Sequence, residues 1–119
     1  MNMNSLNWGV KELKQSSFYE EINNCDYPIL VEFWANWCPP CRMMEPLIES
    51  LADEYKEKCF IRKVNTDLSP SIAQDLNVSG VPCIIIFNKG NEIWRKVGAM
   101  SKKSIQNELD RILAEQSSK

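Results

Sequence analysis

The chain has 119 residues, 44 % of them hydrophobic and 25 % charged, a globular composition at a length typical of one domain spanning residues 1–119. Disorder and collagen-like repeats are thereby excluded, and the longest apolar stretch, Val81 to Phe87, is far short of the roughly 18 residues that a membrane span needs. Sixteen acidic residues against fourteen scattered basic ones give a net charge of −2 and no phosphate-binding block, so neither a membrane nor a nucleic acid is expected as a partner.

In chain order, Val10 to Leu13 reads as a short edge strand. Ser16 or Ser17 is placed to cap a short helix running to about Asn24, with Glu20 three residues after Ser17 as a capping-box partner. Ile29-Leu30-Val31-Glu32-Phe33-Trp34 is an almost continuous β-branched and aromatic run, the pattern of a strand covered on both faces, with one charge in its middle. From Met44 the apolar residues Leu47, Ile48, Leu51, Ala52 and Tyr55 follow at spacings of three and four, which defines one face of a long helix. Pro46 lies inside it, removes a backbone donor and predicts a kink.

Phe60 to Val64 is a second core strand, and Ser69-Pro70 opens a short helix with proline in its first turn. After a turn at Ser79-Gly80, Cys83 to Phe87 is another apolar strand. Asn88 to Asn91 then turns the chain back into Glu92 to Val97 as a hairpin. A closing helix from about Ser101 carries Ile105, Leu109, Ile112 and Leu113 on one face. Alternating strands and helices followed by a hairpin imply an α/β fold, a central mixed sheet with helices on both faces. In such sheets chemistry gathers at the carboxyl ends of strands, where the Ile29 to Trp34 strand leads to Cys38 and Cys41.

The cysteines narrow the chemistry. No histidine is present, which removes the commonest general base and zinc ligand and with it Ser-His or Cys-His hydrolysis. Five thiols cannot all pair internally, and the polar start of the chain has no apolar core of the signal-peptide kind, so a reducing, cytoplasmic setting is expected. There, Cys38-Pro39-Pro40-Cys41 places two sulfurs three residues apart at the start of the long helix, close enough to close a small disulfide ring. The free N–H groups and dipole of a helix N-terminus stabilise an anion, and thiols so placed in such pairs have a pKa of roughly 3.5–7.5. Cys38, nearer the helix start, is therefore the expected attacking thiolate. Cys41, deeper in the helix and less exposed, is expected to resolve the mixed disulfide. A bare C-x-x-C also occurs in zinc sites, but these want a second pair or two histidines, and Cys25, Cys59 and Cys83 are all single.

Together these residues give the chain a resemblance to the thioredoxin family, in family order over roughly residues 8 to 115. Phe33-Trp34-Ala35-Asn36-Trp37-Cys38-Pro39-Pro40-Cys41 resembles the family's active-site segment, and Pro46 sits where the family helix is kinked. Lys63, Asn65 and Asp67 resemble the following strand end. Val81-Pro82 resembles the cis-proline loop, Lys89-Gly90 the hairpin turn and Val97-Gly98-Ala99 the segment before the last helix. The resemblance implies a thioredoxin fold and a protein-disulfide reductase that cycles Cys38 and Cys41 between dithiol and disulfide. Its partners would be disulfide-containing proteins and an NADPH-dependent thioredoxin reductase, with no cofactor or metal of its own. Glu32 stands where the family has a buried aspartate that takes the proton of the second cysteine. Pro82 would be cis, and Trp37, Val81 and Pro82 would meet the substrate. Lys63 would tune Glu32, while Trp34 would serve packing.

The family usually has Gly-Pro between its cysteines. Pro39 here lacks an N–H that could stabilise a thiolate, while two rings stiffen the turn in both redox states. Pro-Pro followed by Arg42 is also similar to envelope thioredoxin-like reductases, which carry an export anchor and an insertion that this sequence does not show. Cys83, after Pro82, is expected near the pair, as a small buried thiol on an apolar strand or as a partner in an alternative disulfide, a glutathione adduct or a metal site; in a rival reading two chains share a metal or iron–sulfur cluster through Cys38 and Cys41, assisted by Cys83. Cys25 and Cys59 read as free thiols.

Overall fold

A computed structural model of the chain describes residues 6–117; the polar start of the chain, Met1 to Ser5, lies outside them. In chain order the elements are β1 (Lys11–Glu12), α1 (Phe18–Asn23), β2 (Ile29–Trp34), α2 (Pro39–Glu54), β3 (Phe60–Asn65), α3 (Pro70–Asp75), β4 (Cys83–Asn88), β5 (Asn91–Val97) and α4 (Lys102–Ser117). The strands form one sheet in the order β1-β3-β2-β4-β5. β1, β3 and β2 run parallel, and β4 and β5 are antiparallel. This is the mixed sheet that the alternation of elements predicts, with β2 at its centre.

Side chains of a strand alternate between faces, so each central strand feeds two cores. On one face Ile29, Val31, Phe33, Phe60, Val64, Cys83, Ile85 and Phe87 pack with Phe18 and Ile22 of α1 and Ile72 of α3. On the other, Leu30, Ile61, Ile84 and Ile86 meet Met44, Ile48 and Leu51 of α2 and Ile105, Leu109 and Ile112 of α4. Ile84, Ile85 and Ile86 are fully buried in succession, two on one face and one on the other. Each such side chain contributes about 2 kcal/mol by leaving water. Glu32 falls on the α2 face by the same alternation, between Lys63 of β3 and Ile84 of β4 in register.

Three local readings are corrected. The first strand is only Lys11–Glu12, both exposed, because Val10 and Leu13 on either side turn into the cores. Ser17 occupies the N-cap of α1 without a side-chain cap bond. Its hydroxyl donates instead to Glu21 Oε2 at 3.3 Å, so the box with Glu20 does not form. β3 runs one residue further, to Asn65, because Asn65 still pairs with Trp34 of β2, while its N–H donates to Glu12 Oε2 at 2.7 Å. The hairpin is as read: Lys89 and Gly90 form its two-residue loop with φ of 52° and 85°. Gly90 is required there twice over, since a Cβ would also stand 2.8 Å from Asn23 Oδ1.

Candidate active site at the start of helix α2

β2 ends at Trp34, and four residues later the chain enters α2 at Cys38, its N-cap, with Pro39 and Pro40 in the first turn. Proline is well suited there, because its missing N–H has no intrahelical partner in any case. The consequence is chemical. Of the three donors nearest the helix start, only the Cys41 N–H exists, and it points at Cys38 Sγ, 3.3 Å away. Cys38 and Cys41 are joined as a disulfide with their Cα atoms 5.3 Å apart. They form a small apolar nest with Ala35, walled by Trp34 and Val81.

The expected contrast in exposure between the two cysteines is absent. Each is only 2 % exposed in the disulfide form, inside the nest against which Trp34 and Val81 pack. The Val81–Pro82 bond is cis, and the Pro82 carbonyl accepts the Gly98 N–H at 2.7 Å, which holds this loop beside the nest. Trp37, by contrast, is 67 % exposed, with its indole N–H on Asp67 Oδ2 at 3.1 Å. Arg42 donates to the Asn36 carbonyl and fixes the loop from the other side.

Glu32 is fully buried, and neither of its carboxylate oxygens has a hydrogen-bond partner among the described residues. Burial pushes its pKa up to about 7 from the usual 4.5; the Lys63 charge pulls it down, and the Glu45 and Glu12 charges push it further up. Glu32 and Trp34 point to the same face two residues apart, so the carboxyl lies one pleat, about 7 Å, behind the indole that walls the cysteine nest. Lys63 sits with its ammonium 4.2 Å from the Trp34 ring centroid. The Trp34 indole N–H donates to Glu12 Oε1 at 2.8 Å.

Glu12 and Glu45 are the residues that sequence reasoning missed. Glu45 had a signal, since it lies one helical turn beyond Cys41. Glu12 had none, because only the pairing of β1 with β3 brings it here.

Cys83 does not join the pair: it faces the opposite core, opposite Phe33 in register. Among the described residues no three of Cys, Asp and Glu gather in a way that would hold a metal ion. Burial raises the pKa of all three free thiols, that of Cys59 to about 12, which disfavours their thiolate forms.

The family model described as Thioredoxin matches residues 9–111. The chain belongs to the thioredoxin family. It is 35 % identical over 105 residues to the thioredoxin of Porphyra purpurea, covering 88 % of this chain and 98 % of the relative. To the thioredoxin of Griffithsia pacifica it is 39 % identical over 104 residues, 87 % of this chain and 95 % of that one. Thioredoxin 1 of Nostoc sp. is 36 % identical over 102 residues, 86 % and 95 % of the two chains. The mixed five-stranded sheet is a thioredoxin fold, and the chain is a thiol-disulfide oxidoreductase, reducing protein disulfides by reversible exchange at Cys38 and Cys41. Disulfide-containing proteins and a reductase are its partners as a thioredoxin-family member. No helix among the described residues is long and apolar enough to cross a membrane.

Proposed function

We propose that Cys38 is the attacking thiolate, Cys41 the resolving thiol and Glu32 the acceptor of the Cys41 proton. The chain would act as a single-domain general reductant in the cytoplasm, carrying electrons from an NADPH-dependent thioredoxin reductase to protein disulfides. The observation that carries this reading is the Cys41 N–H aimed at Cys38 Sγ at the helix N-cap. That donor and the helix dipole stabilise negative charge on the Cys38 sulfur.

In the forward step the Cys38 thiolate attacks one sulfur of a substrate disulfide. A Cys38–substrate bond forms, and the other substrate sulfur leaves as a thiolate. Cys41 then gives its proton to Glu32 and attacks Cys38 Sγ, which closes the Cys38–Cys41 disulfide and expels the second substrate thiolate. Two electrons have passed to the substrate, and the reductase returns them. Glu32 can accept only when ionised, so the resolving step slows as pH falls through about 7.

The tuning and contact residues follow from their positions. Pro39 and Pro40 limit the Cys38 sulfur to one backbone donor, and Lys63 favours the ionised form of Glu32. The exposed ring of Trp37 and the Val81-Pro82 segment flank the pair, offering apolar surface and main-chain groups to an extended peptide.

The test is reduction of insulin disulfides by the parent, Cys38→Ser, Cys41→Ser and Glu32→Gln. The parent turns over, and both serine variants are inactive. Cys41→Ser accumulates a mixed disulfide with substrate and Cys38→Ser does not; a mixed disulfide on Cys41 instead would reverse the roles. Glu32→Gln keeps its fold and slows resolution about a hundredfold at neutral pH, the ordinary contribution of a general base. A rate equal to the parent's removes Glu32 from the mechanism.

A further inference from the structure

The two tryptophans beside the cysteine pair both give their indole N–H to a carboxylate from another part of the chain, Trp34 to Glu12 Oε1 at 2.8 Å and Trp37 to Asp67 Oδ2 at 3.1 Å. The two bonds are joined to each other. The second oxygen of Glu12 accepts the Asn65 N–H at 2.7 Å. Asn65, buried at the end of β3, turns its own side-chain oxygen to the N–H groups of Asp67 and Leu68 at 2.9 and 3.2 Å, and so sets the turn from which Asp67 reaches Trp37. Within that turn Thr66 clasps the end of β2, its N–H and its hydroxyl both on the Trp34 carbonyl at 2.9 and 3.3 Å. A continuous run of hydrogen bonds therefore leads from the Trp34 ring through Glu12, Asn65 and Asp67 to the Trp37 ring, and Glu12 is its one member from outside the β2 and β3 ends.

Strand pairing puts Glu12 in reach. It lies opposite Lys63 in the parallel register, and Lys63 lies opposite Glu32, so Glu12 shares the face of the sheet to which Glu32 and Trp34 point. Its two side-chain methylenes carry the carboxylate forward to Asn65 and the indole. Lys63 holds the same indole by its face, with the ammonium 4.2 Å from the ring centroid, while Glu12 holds it by its edge. Trp34 in turn packs against the nest of Ala35, Cys38 and Cys41.

We propose that Glu12 is a positioning residue of the substrate-facing surface: its two oxygens fix Trp34 against the cysteine nest and, by way of Asn65 and Asp67, the exposed ring of Trp37. A small linear disulfide needs only the sulfurs, whereas a protein disulfide also needs the surface around them. Glu12 therefore acts on the capture of protein substrates and hardly on the exchange itself. The proposal rests on Trp37 being a substrate contact, and its test separates the two claims.

The experiment compares the full-length parent with Glu12→Ala, Glu12→Gln and Trp37→Ala in steady-state reduction of insulin and of hydroxyethyl disulfide, and follows the indole N–H resonances by heteronuclear NMR. Glu12→Ala is expected to raise the KM for insulin about tenfold, the equivalent of one hydrogen bond to a charged group, with kcat and the rate on hydroxyethyl disulfide little changed. Glu12→Gln keeps the stem and one accepting oxygen, and raises KM less. In both variants the Trp34 and Trp37 indole resonances move, although Glu12 touches only the first ring; Trp37→Ala identifies the second by its loss. A Trp37 resonance that stays in place when Glu12 is changed overturns the proposal. So does a Glu12→Gln protein that matches the parent throughout, because one oxygen cannot serve both donors. Equal slowing on both disulfides overturns it too, since that is the mark of a charge effect on Glu32 and not of a displaced surface. A parent-like KM for Glu12→Ala while that of Trp37→Ala is raised overturns this proposal alone. If Trp37→Ala itself keeps the parent KM, the substrate contact fails, and this proposal fails with it.

Discussion

Arg62 of β3 and Glu32 of β2 lie one step out of register on neighbouring strands and point to opposite faces of one sheet. Both are buried, at 7 % and 0 % exposure, and both carry a charge that the apolar interior disfavours. They are held differently. Arg62 gives Nη1 to the Gly9 and Ile61 carbonyls at 3.0 and 3.1 Å and Nη2 to the Asn7 carbonyl at 2.9 Å, and its guanidinium lies over the Phe60 ring. Glu32 has no hydrogen bond from any described residue to either oxygen. A buried charge surrounded by partners acts as a clamp, here tying residues 7–9 to the sheet. Without partners the carboxyl keeps its proton up to about neutral pH, where it can give and take it, and that is a reactive group.

The largest effect that sharpens the contrast is linkage. Glu32 binds its proton more tightly folded than unfolded, so the stability it contributes is full below pH 4.5 and is lost as pH rises through about 7. Chemical denaturation at pH 4.5 and 8.5 is expected to show the parent losing about 3 kcal/mol more than Glu32→Gln across that window. Equal losses would mean that Glu32 is solvated like a surface carboxyl. Next comes Arg62→Met, which keeps the stem but strips three carbonyls of their donors. A stability loss of about 2 kcal/mol in urea melts, with insulin reduction unchanged per folded molecule, is expected. A slowed reaction would break the division between clamp and reactive group. The smallest is Lys63→Met, which removes a neighbouring positive charge that favours ionised Glu32. The acid limb of the rate profile should move to higher pH, by an effect on the order of 1 kcal/mol or less at neutral pH.

The same pair shows what the sequence carries and what it does not. The run Ile29 to Trp34 announces a doubly covered strand, and the i, i+3, i+4 pattern from Met44 announces the helix face, because burial writes itself as hydrophobic period. Glu32 is visible as a misfit inside such a run. Arg62 is not, since a charge in a strand ordinarily marks the solvent side, and its acceptors Asn7 and Gly9 are main-chain groups more than 50 residues away. The site divides likewise. Cys38, Cys41 and the donor-poor turn between them are local and legible. The equal burial of the two sulfurs depends on Val81, and the placing of Cys83 on the opposite face depends on strand pairing, so neither is encoded at short range.

The two prolines of the active-site turn have a spectroscopic consequence. Neither Pro39 nor Pro40 contributes an amide proton, so the stretch from Cys38 to Arg42 contains one amide between its two ends, that of Cys41, and it is bonded to Cys38 Sγ. In a heteronuclear correlation spectrum that single resonance is a built-in gauge of the sulfur. Its position would follow the site from disulfide to thiol to thiolate without any label or probe being added.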